Sequence, residues 1–364
     1  MISAPVASRL RLALCLLLPL MSGCESLHYY WQAVQGQWEL VDKARPITAL
    51  LDDPALDATL RHKLMQVNEA RHYASESLHL PAGDAYSHYV ALDRPAVVWN
   101  IVAVPEFSLE AKRWCFPVAG CVKYKGYFNQ TDAQSAAQTL QAEGYDVAMG
   151  GVAAYSTLGW FDDPVLSTFI FDSDENLQRL ILHELAHRQF YVSGDTTLNE
   201  SWATAVAATG LEGLRGQSTG TPEHLPPDRR FEAVLLRETE DLLEQLKVRY
   251  TQFEESPTQY TLEERRSQKR QLIEDYQRQL QAQAAAYADS SRYARWWRDP
   301  VNNAHLIAVN NYYRWVDGLR YQLEVVLQGD WQAFYQWSEA TLEPLEERER
   351  SALLDELNAR ATPE

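Results

Sequence analysis

Basic residues are the first deficit of this chain: 33 Lys and Arg stand against 50 Asp and Glu in 364 residues, a formal charge of −17. Net attraction for a phosphate backbone is thereby excluded, and nucleic acid is not an expected partner. Long apolar runs are scarce too. The one that exists lies within the first 24 residues, so nothing in the remaining chain is expected to span a bilayer. Internal repeats and low-complexity tracts are missing, and Gln281 to Ala288 shows only a local bias. Cysteine occurs four times. Core-forming material is plentiful: 46% of the residues are hydrophobic, with 11 Trp and 19 Tyr, which excludes disorder as the main state. The length sets a prior of about two domains.

The amino terminus is an address. Arg9 and Arg11 precede the apolar run Leu12 to Leu20, broken by Pro19, and the small residues Ser22 and Gly23 then lead to Cys24. This is the order of a secretory signal, too short to be a stable span. Leu20-Met21-Ser22-Gly23-Cys24 resembles the bacterial lipobox. That resemblance implies a signal over residues 1–23, lipidation of Cys24 and a membrane anchor there. Glu25, rather than Asp, implies the periplasmic face of the outer membrane of a bacterial cell envelope. Cys15 then leaves with the signal, and Cys115 and Cys121 remain in an oxidising compartment. A disulfide between them is expected, two buried thiols being the alternative.

Along the mature chain, His28 to His79 reads as helical, with Leu50, Leu51, Leu56, Leu60, Leu64 and Met65 at mostly three-to-five spacing. Ala96 to Val104 and Cys121 to Phe128 read as strands, Thr131 to Gly144 as a helix, and Tyr145 to Tyr155 as extended. The next helix is expected over Leu177 to Val192, capped by Ser173 or Asp174 and closed by Gly194, with another from Thr197. Arg229 to Tyr250 and Thr261 to Tyr287 are charge-rich, and Thr261 with Glu264 makes a capping box. They read as a helical hairpin, either a solvated pair or an arm for a protein partner. Asn302 to Tyr335 should pack back on the body. The expected fold is α+β and predominantly helical, with a small β-sheet packed on the Leu177 to Val192 helix and a long charged helical hairpin insertion. Its divisions are 24–224 for the amino-terminal helices, small sheet and the two helices that begin near Leu177 and Thr197, 225–295 for the hairpin, and 296–364 for the carboxy-terminal helices.

Chemistry concentrates in His183-Glu184-Leu185-Ala186-His187. On a helix, residues four apart share one face, so both imidazoles can grip one cation while Glu184 reaches its water without ligating. A third protein ligand is required, and Asp195 and Glu200 are the candidates. The metzincin pattern is absent, Phe190 and Ser193 occupying its Gly and His positions. Asn199-Glu200-Ser201-Trp202-Ala203 resembles the Asn-Glu-x-x-Ala stretch of gluzincins, in which the helical Glu is the third zinc ligand. The competing reading makes Glu200 the third residue of a capping box begun by Thr197. His62, His72, His79, His88 and His305 form no local ligand cluster.

Tyr155-Ser156-Thr157-Leu158-Gly159, His183 to His187, Asn199-Glu200, Asn302-Asn303-Ala304 and the Cys115 to Cys121 segment with Lys125-Gly126-Tyr127-Phe128 together resemble a family of bacterial lipoproteins described as aminopeptidases. The resemblance covers most of residues 24–340. It implies a Zn2+-dependent aminopeptidase with His183, His187 and Glu200 as ligands, Glu184 as general base and a peptide as substrate. Only twelve residues separate His187 from Glu200, fewer than in well-known gluzincin aminopeptidases, which weakens carry-over of their substrate pockets.

Gly150 and Gly151 would let a substrate backbone approach an extended strand, unless they mark a bulge, and Tyr155 joins them as a substrate-binding candidate. Asp162, Asp163 and Glu175 are available to meet a substrate ammonium. Tyr312 is the candidate oxyanion donor, with core packing as its alternative role. An endopeptidase, or a non-enzymatic envelope scaffold with a structural metal, are the competing functions.

Overall fold

The computed structural model describes residues 29–116, 120–152, 154, 162–216, 227–287 and 290–361. The signal segment, Cys24 and Tyr155 lie outside the described residues. Helix α1 (29–43) leads to strand β1 (Arg45–Pro46), α2 (Ile47–Leu51) and α3 (Ala58–Glu76). The strands β2 (His88–Val90), β3 (Val98–Pro105), β4 (Trp114–Phe116), β5 (Gly120–Val122) and β6 (Lys125–Tyr127) follow. Helix α4 (Gln130–Ala142) starts where the Asn129 side chain accepts from the N–H groups of Thr131 and Asp132. It leads through Gly144, at φ +89°, into β7 (Tyr145–Val152), and β8 (Val165–Leu166) comes next.

The remaining chain is helical: α5 (Asp174–Ala186), α6 (Thr196–Leu214), α7 (Pro227–Glu255), α8 (Leu262–Ala284), α9 (Arg295–Arg298), α10 (Asn303–Tyr313), α11 (Val316–Tyr321), α12 (Trp331–Trp337) and α13 (Glu347–Ala361). The fold is thus predominantly helical α+β, as the sequence indicates. The Thr261–Glu264 capping box forms at the start of α8.

The sheet that matters for the site has the order β6-β3-β7, antiparallel throughout. Alternation along β3 sends Trp99, Ile101 and Ala103 to one face, where Ala133 and Ala137 of α4 complete a small core. Val102 and Val104 point the other way, into a core made with Phe231 and Leu246 of α7, Ile273 and Leu280 of α8, and Leu306 and Ile307 of α10. The charged hairpin α7–α8 is therefore seated on this face, and Lys269 of α8 clamps it by pairing with Asp146 of β7 at 2.5 Å.

The largest core joins α3, α5 and α6 to α11–α13. Trp202 is fully buried in it, stacked on Phe334 at 5.6 Å and donating its indole N–H to Ser338 Oγ at 2.9 Å.

Helix α5 ends earlier than its sequence pattern indicates. Phe190 and Val192 continue the apolar spacing and are buried, yet the helix stops at Ala186 and His187 occupies its C-cap position. The following residues turn back toward α6, with Gly194 at φ +87° inside the connection rather than at the helix end. The second histidine of the motif thus lies at the end of α5, not in its middle.

Candidate metal centre

Three local devices fix the site. At the start of α5, Ser173 caps the helix by accepting from Asn176 N–H. Across the α5–α6 connection, buried Asn199 of α6 exchanges both amide hydrogen bonds with Val192, accepting from its N–H and donating to its carbonyl, each at 2.8 Å. At the start of α6, Asp195 is the N-cap and accepts from Leu198 N–H. The capping-box alternative for Glu200 therefore fails, because the cap lies two residues before Thr197 and Glu200 falls beyond the third helical position. A tight antiparallel return of α6 on α5 brings Glu200 back to the histidines.

The geometry follows. Glu200 Oε2 lies 3.2 Å from His183 Nε2 and 3.5 Å from His187 Nε2, and the two Nε2 atoms are 3.2 Å apart. All three candidate ligand atoms fall within 4.8 Å of one another, and no other such cluster occurs among the described residues. Two imidazole nitrogens and one carboxylate oxygen, with a cavity on one side, fit a Zn2+ site that retains an open position. Electrostatics point the same way. Burial alone would raise the Glu200 carboxyl, but His187 and hydrogen bonds from both imidazoles bring it down to about 2. For His187 burial acts downward and the Glu200 charge outweighs it, so its pKa is raised. A buried carboxylate that faces two imidazoles is a place for a cation.

Asp195 takes no part in this cluster. Its second oxygen accepts from Arg350 Nε of α13 at 2.9 Å, in an ion pair whose side chains are 2% and 5% exposed. His62 pairs with Asp174, His88 with Ser87 and His305 with Asn302, so none of these reaches the centre.

Two cavities meet at Val152, Ala154, Glu184 and Tyr312. The larger, about 490 Å³, is walled mainly by Phe169, Phe171, Leu177, Leu180, Ala207 and Ala208, with Asp172 and Arg179 as its charged residues away from the histidines. The smaller, about 300 Å³, contains His187, Tyr191 and Glu200 and is bounded by α1 and the sheet. Glu184 borders both without joining the ligand set, and burial holds its carboxyl above the ordinary carboxylate value. The ring of Tyr312 lies 6.0 Å from that of His183 and is 41% exposed, not core. The Glu200 charge keeps its phenol protonated well past the usual range. Its position is set from below: Asn302 caps α10, and Asn311 accepts from Thr197 Oγ on α6 at 2.8 Å. Tyr313 points elsewhere, donating to Glu232 at 2.6 Å.

Gly150 and Gly151 pair with Asn100 and Trp99 on exposed backbone of β7, an edge strand among the described residues. Gly151 is required for packing, since a Cβ would sit 2.8 Å from that of Ala96, whereas Gly150 faces open space. Val152 and Ala154, not the glycines, reach the cavities. Asp162, Asp163 and Glu175 line neither cavity. Asp172, Arg179, Tyr191 and Thr204 were not singled out by sequence. Thr204 has a recoverable signal: it lies four residues after Glu200 on the same helix face, and its hydroxyl stands 3.4 Å from His183 Nδ1.

The family model described as "Putative aminopeptidase" matches residues 28–354. No curated protein and no solved structure matches the chain.

Proposed function

The chain belongs to the family described as "Putative aminopeptidase", and from that membership and the ligand geometry we propose that it is a zinc-dependent aminopeptidase of the bacterial cell envelope. The observation that carries this reading is the meeting of His183, His187 and Glu200 beside a separate buried carboxylate, Glu184. Zn2+ bound there would supply Lewis-acid polarisation of a peptide carbonyl and of water.

The chain's own residues divide the remaining work. Glu184, its proton affinity raised by burial, takes the proton of the attacking water and returns it to the leaving amine. Tyr312 keeps its proton and donates a hydrogen bond to the oxygen on which charge develops. Val152, at the end of edge strand β7, and Ala154 line both cavities, and the peptide would lie along them. Asp172, on the wall of the larger cavity, would meet the substrate ammonium. The apolar lining of that cavity suits a bulky hydrophobic side chain. The lipobox-like sequence ending at Cys24 supports the envelope location, and the Cys115–Cys121 disulfide accords with an oxidising compartment.

One observation favours an endopeptidase as second reading: the two cavities meet at Glu184 and Tyr312, leaving room on both sides of the reacting bond. Digesting a library of free and N-acetylated peptides, before and after chelation, separates these. Aminopeptidase action removes single residues from free peptides only, stops on chelation and returns with Zn2+. Internal cleavage of acetylated peptides would select the second reading, and no cleavage by zinc-loaded protein would contradict both.

A further inference from the structure

Helix α1 presents two opposed faces. Gln32, Gly36 and Leu40 recur every fourth residue and are buried. Gln32 accepts from Phe128 N–H at 2.7 Å, and Gly36 is so close to the Phe128 ring that a Cβ would lie 2.1 Å from it. The far face carries Tyr30, Trp31, Val34, Trp38 and Val41, exposed by 47, 61, 61, 70 and 52%. At 100° per residue these side chains fall within an arc of about 100°, pointing away from the buried stripe. Five of the twelve large hydrophobic residues exposed among the described residues thus sit on one short helix.

We propose that α1 lies in the surface of a lipid bilayer, with the Tyr30, Trp31, Val34, Trp38 and Val41 face among the headgroups and upper acyl chains. The chemistry selects lipid. Trp and Tyr pair an apolar body with one polar tip and collect at the membrane–water boundary. A helix with protein on one face and a continuous apolar arc on the other has the amphipathicity of an interfacial helix. Position selects it too. Four residues separate Cys24 from Tyr29, a reach of at most about 18 Å, so an acyl chain at Cys24 would hold the helix against the bilayer. Stable anchoring takes two signals, and α1 supplies the second. Net charge of −17 excludes electrostatic attraction to anionic lipid as the driving term, so the seating is insensitive to salt.

A consequence concerns substrate. Tyr29, Tyr30 and Ala33 of α1 line the cavity that contains Glu184, His187 and Glu200, so the seated helix is a wall of the cleft. Peptides held at the lipid surface are then the substrate class. This consequence rests on the peptidase reading; the seating of α1 does not.

The test places single spin-labelled cysteines at Val34, Trp38 and Val248 of the full processed chain on phosphatidylcholine vesicles, Val248 being an exposed residue of α7. The labels at 34 and 38 should be reached by an aqueous nickel complex about tenfold less than the label at 248, with oxygen access raised and no change in high salt. Equal aqueous access at all three positions would overturn the proposal. Dipolar coupling between labels on separate chains would also overturn it, assigning the face to a second copy. The mass of the amino-terminal peptide reports acylation of Cys24 separately: an unacylated chain with labels 34 and 38 in lipid keeps the seating and removes the anchor. Peptide hydrolysis by the same preparation reports on the peptidase reading alone.

Discussion

Asp195 and Glu200 are both carboxylates on the same stretch of chain, yet their partners give them different work. Asp195 neutralises buried Arg350, whereas Glu200 faces two imidazoles. Asp195→Ala should keep the metal and lose about 3–5 kcal/mol of stability, the cost of stranding a buried charge. Glu200→Ala should lose the metal. Metal content and thermal melting of the two variants check this, and the reverse ranking would make Asp195 the ligand. For Tyr312, deleting only the hydroxyl should lower kcat by about a hundredfold or more, the typical loss of one oxyanion donor. Tyr312→Phe should leave metal content and melting temperature unchanged, because the ring keeps its contact with His183. An unaltered kcat would end the catalytic assignment.

At the scale of elements, the β4–β5 hairpin braces the connection that joins the ligand helices. Cys115 and Cys121 face each other in its register and form a disulfide. Gly120, at φ +72°, packs so tightly on Ser193 that a Cβ would come within 2.4 Å of its hydroxyl. Lys123 Nζ donates to Thr197 Oγ at 3.1 Å. Reduction should therefore loosen His187 relative to Glu200, lowering metal affinity along with a stability loss of roughly 2 kcal/mol on chain-entropy grounds. Metal titration with and without reductant measures it, and equal affinities would show that the brace is idle.

The junction of α3 and α5 responds to acid. A hydrogen bond from Lys63 is the main cause that lowers the Asp174 carboxyl below 3.8, with His62 adding to it. A carboxyl lowered in the folded state stabilises fully above its unfolded value, and that contribution is lost as pH falls through the folded one. Stability should thus drop below about pH 4, and Asp174→Asn should flatten this acid limb in melts recorded against pH. An identical limb in the variant would remove Asp174 from the account.

Over the whole molecule, legibility tracks how local each signal is. The His183 to His187 spacing, the Thr261–Glu264 box and the strand-forming run from Ala96 to Val104 are properties of neighbouring residues, and the structure contains all of them. The end of α5 was not legible, because Phe190 and Val192 keep the helical apolar pattern while being buried in the connection to α6. The cavity walls were not legible either. Phe171, Arg179 and Ala208 meet only when the loop after β8, α5 and α6 are assembled, and no spacing announces that. Asn199 lies between these cases: its place before Glu200 was visible, but its pair of hydrogen bonds with Val192 required the folded connection.

The central claim is that a three-ligand zinc site works with Glu184 as its base, and the most direct test compares metal content and peptide hydrolysis in wild type and Glu184→Gln. The amide keeps the size of the side chain and removes its basicity. Both proteins should hold one Zn2+ per chain, and only the wild type should hydrolyse peptides. Hydrolysis retained by Glu184→Gln, or a wild type that takes up no zinc, would contradict the account.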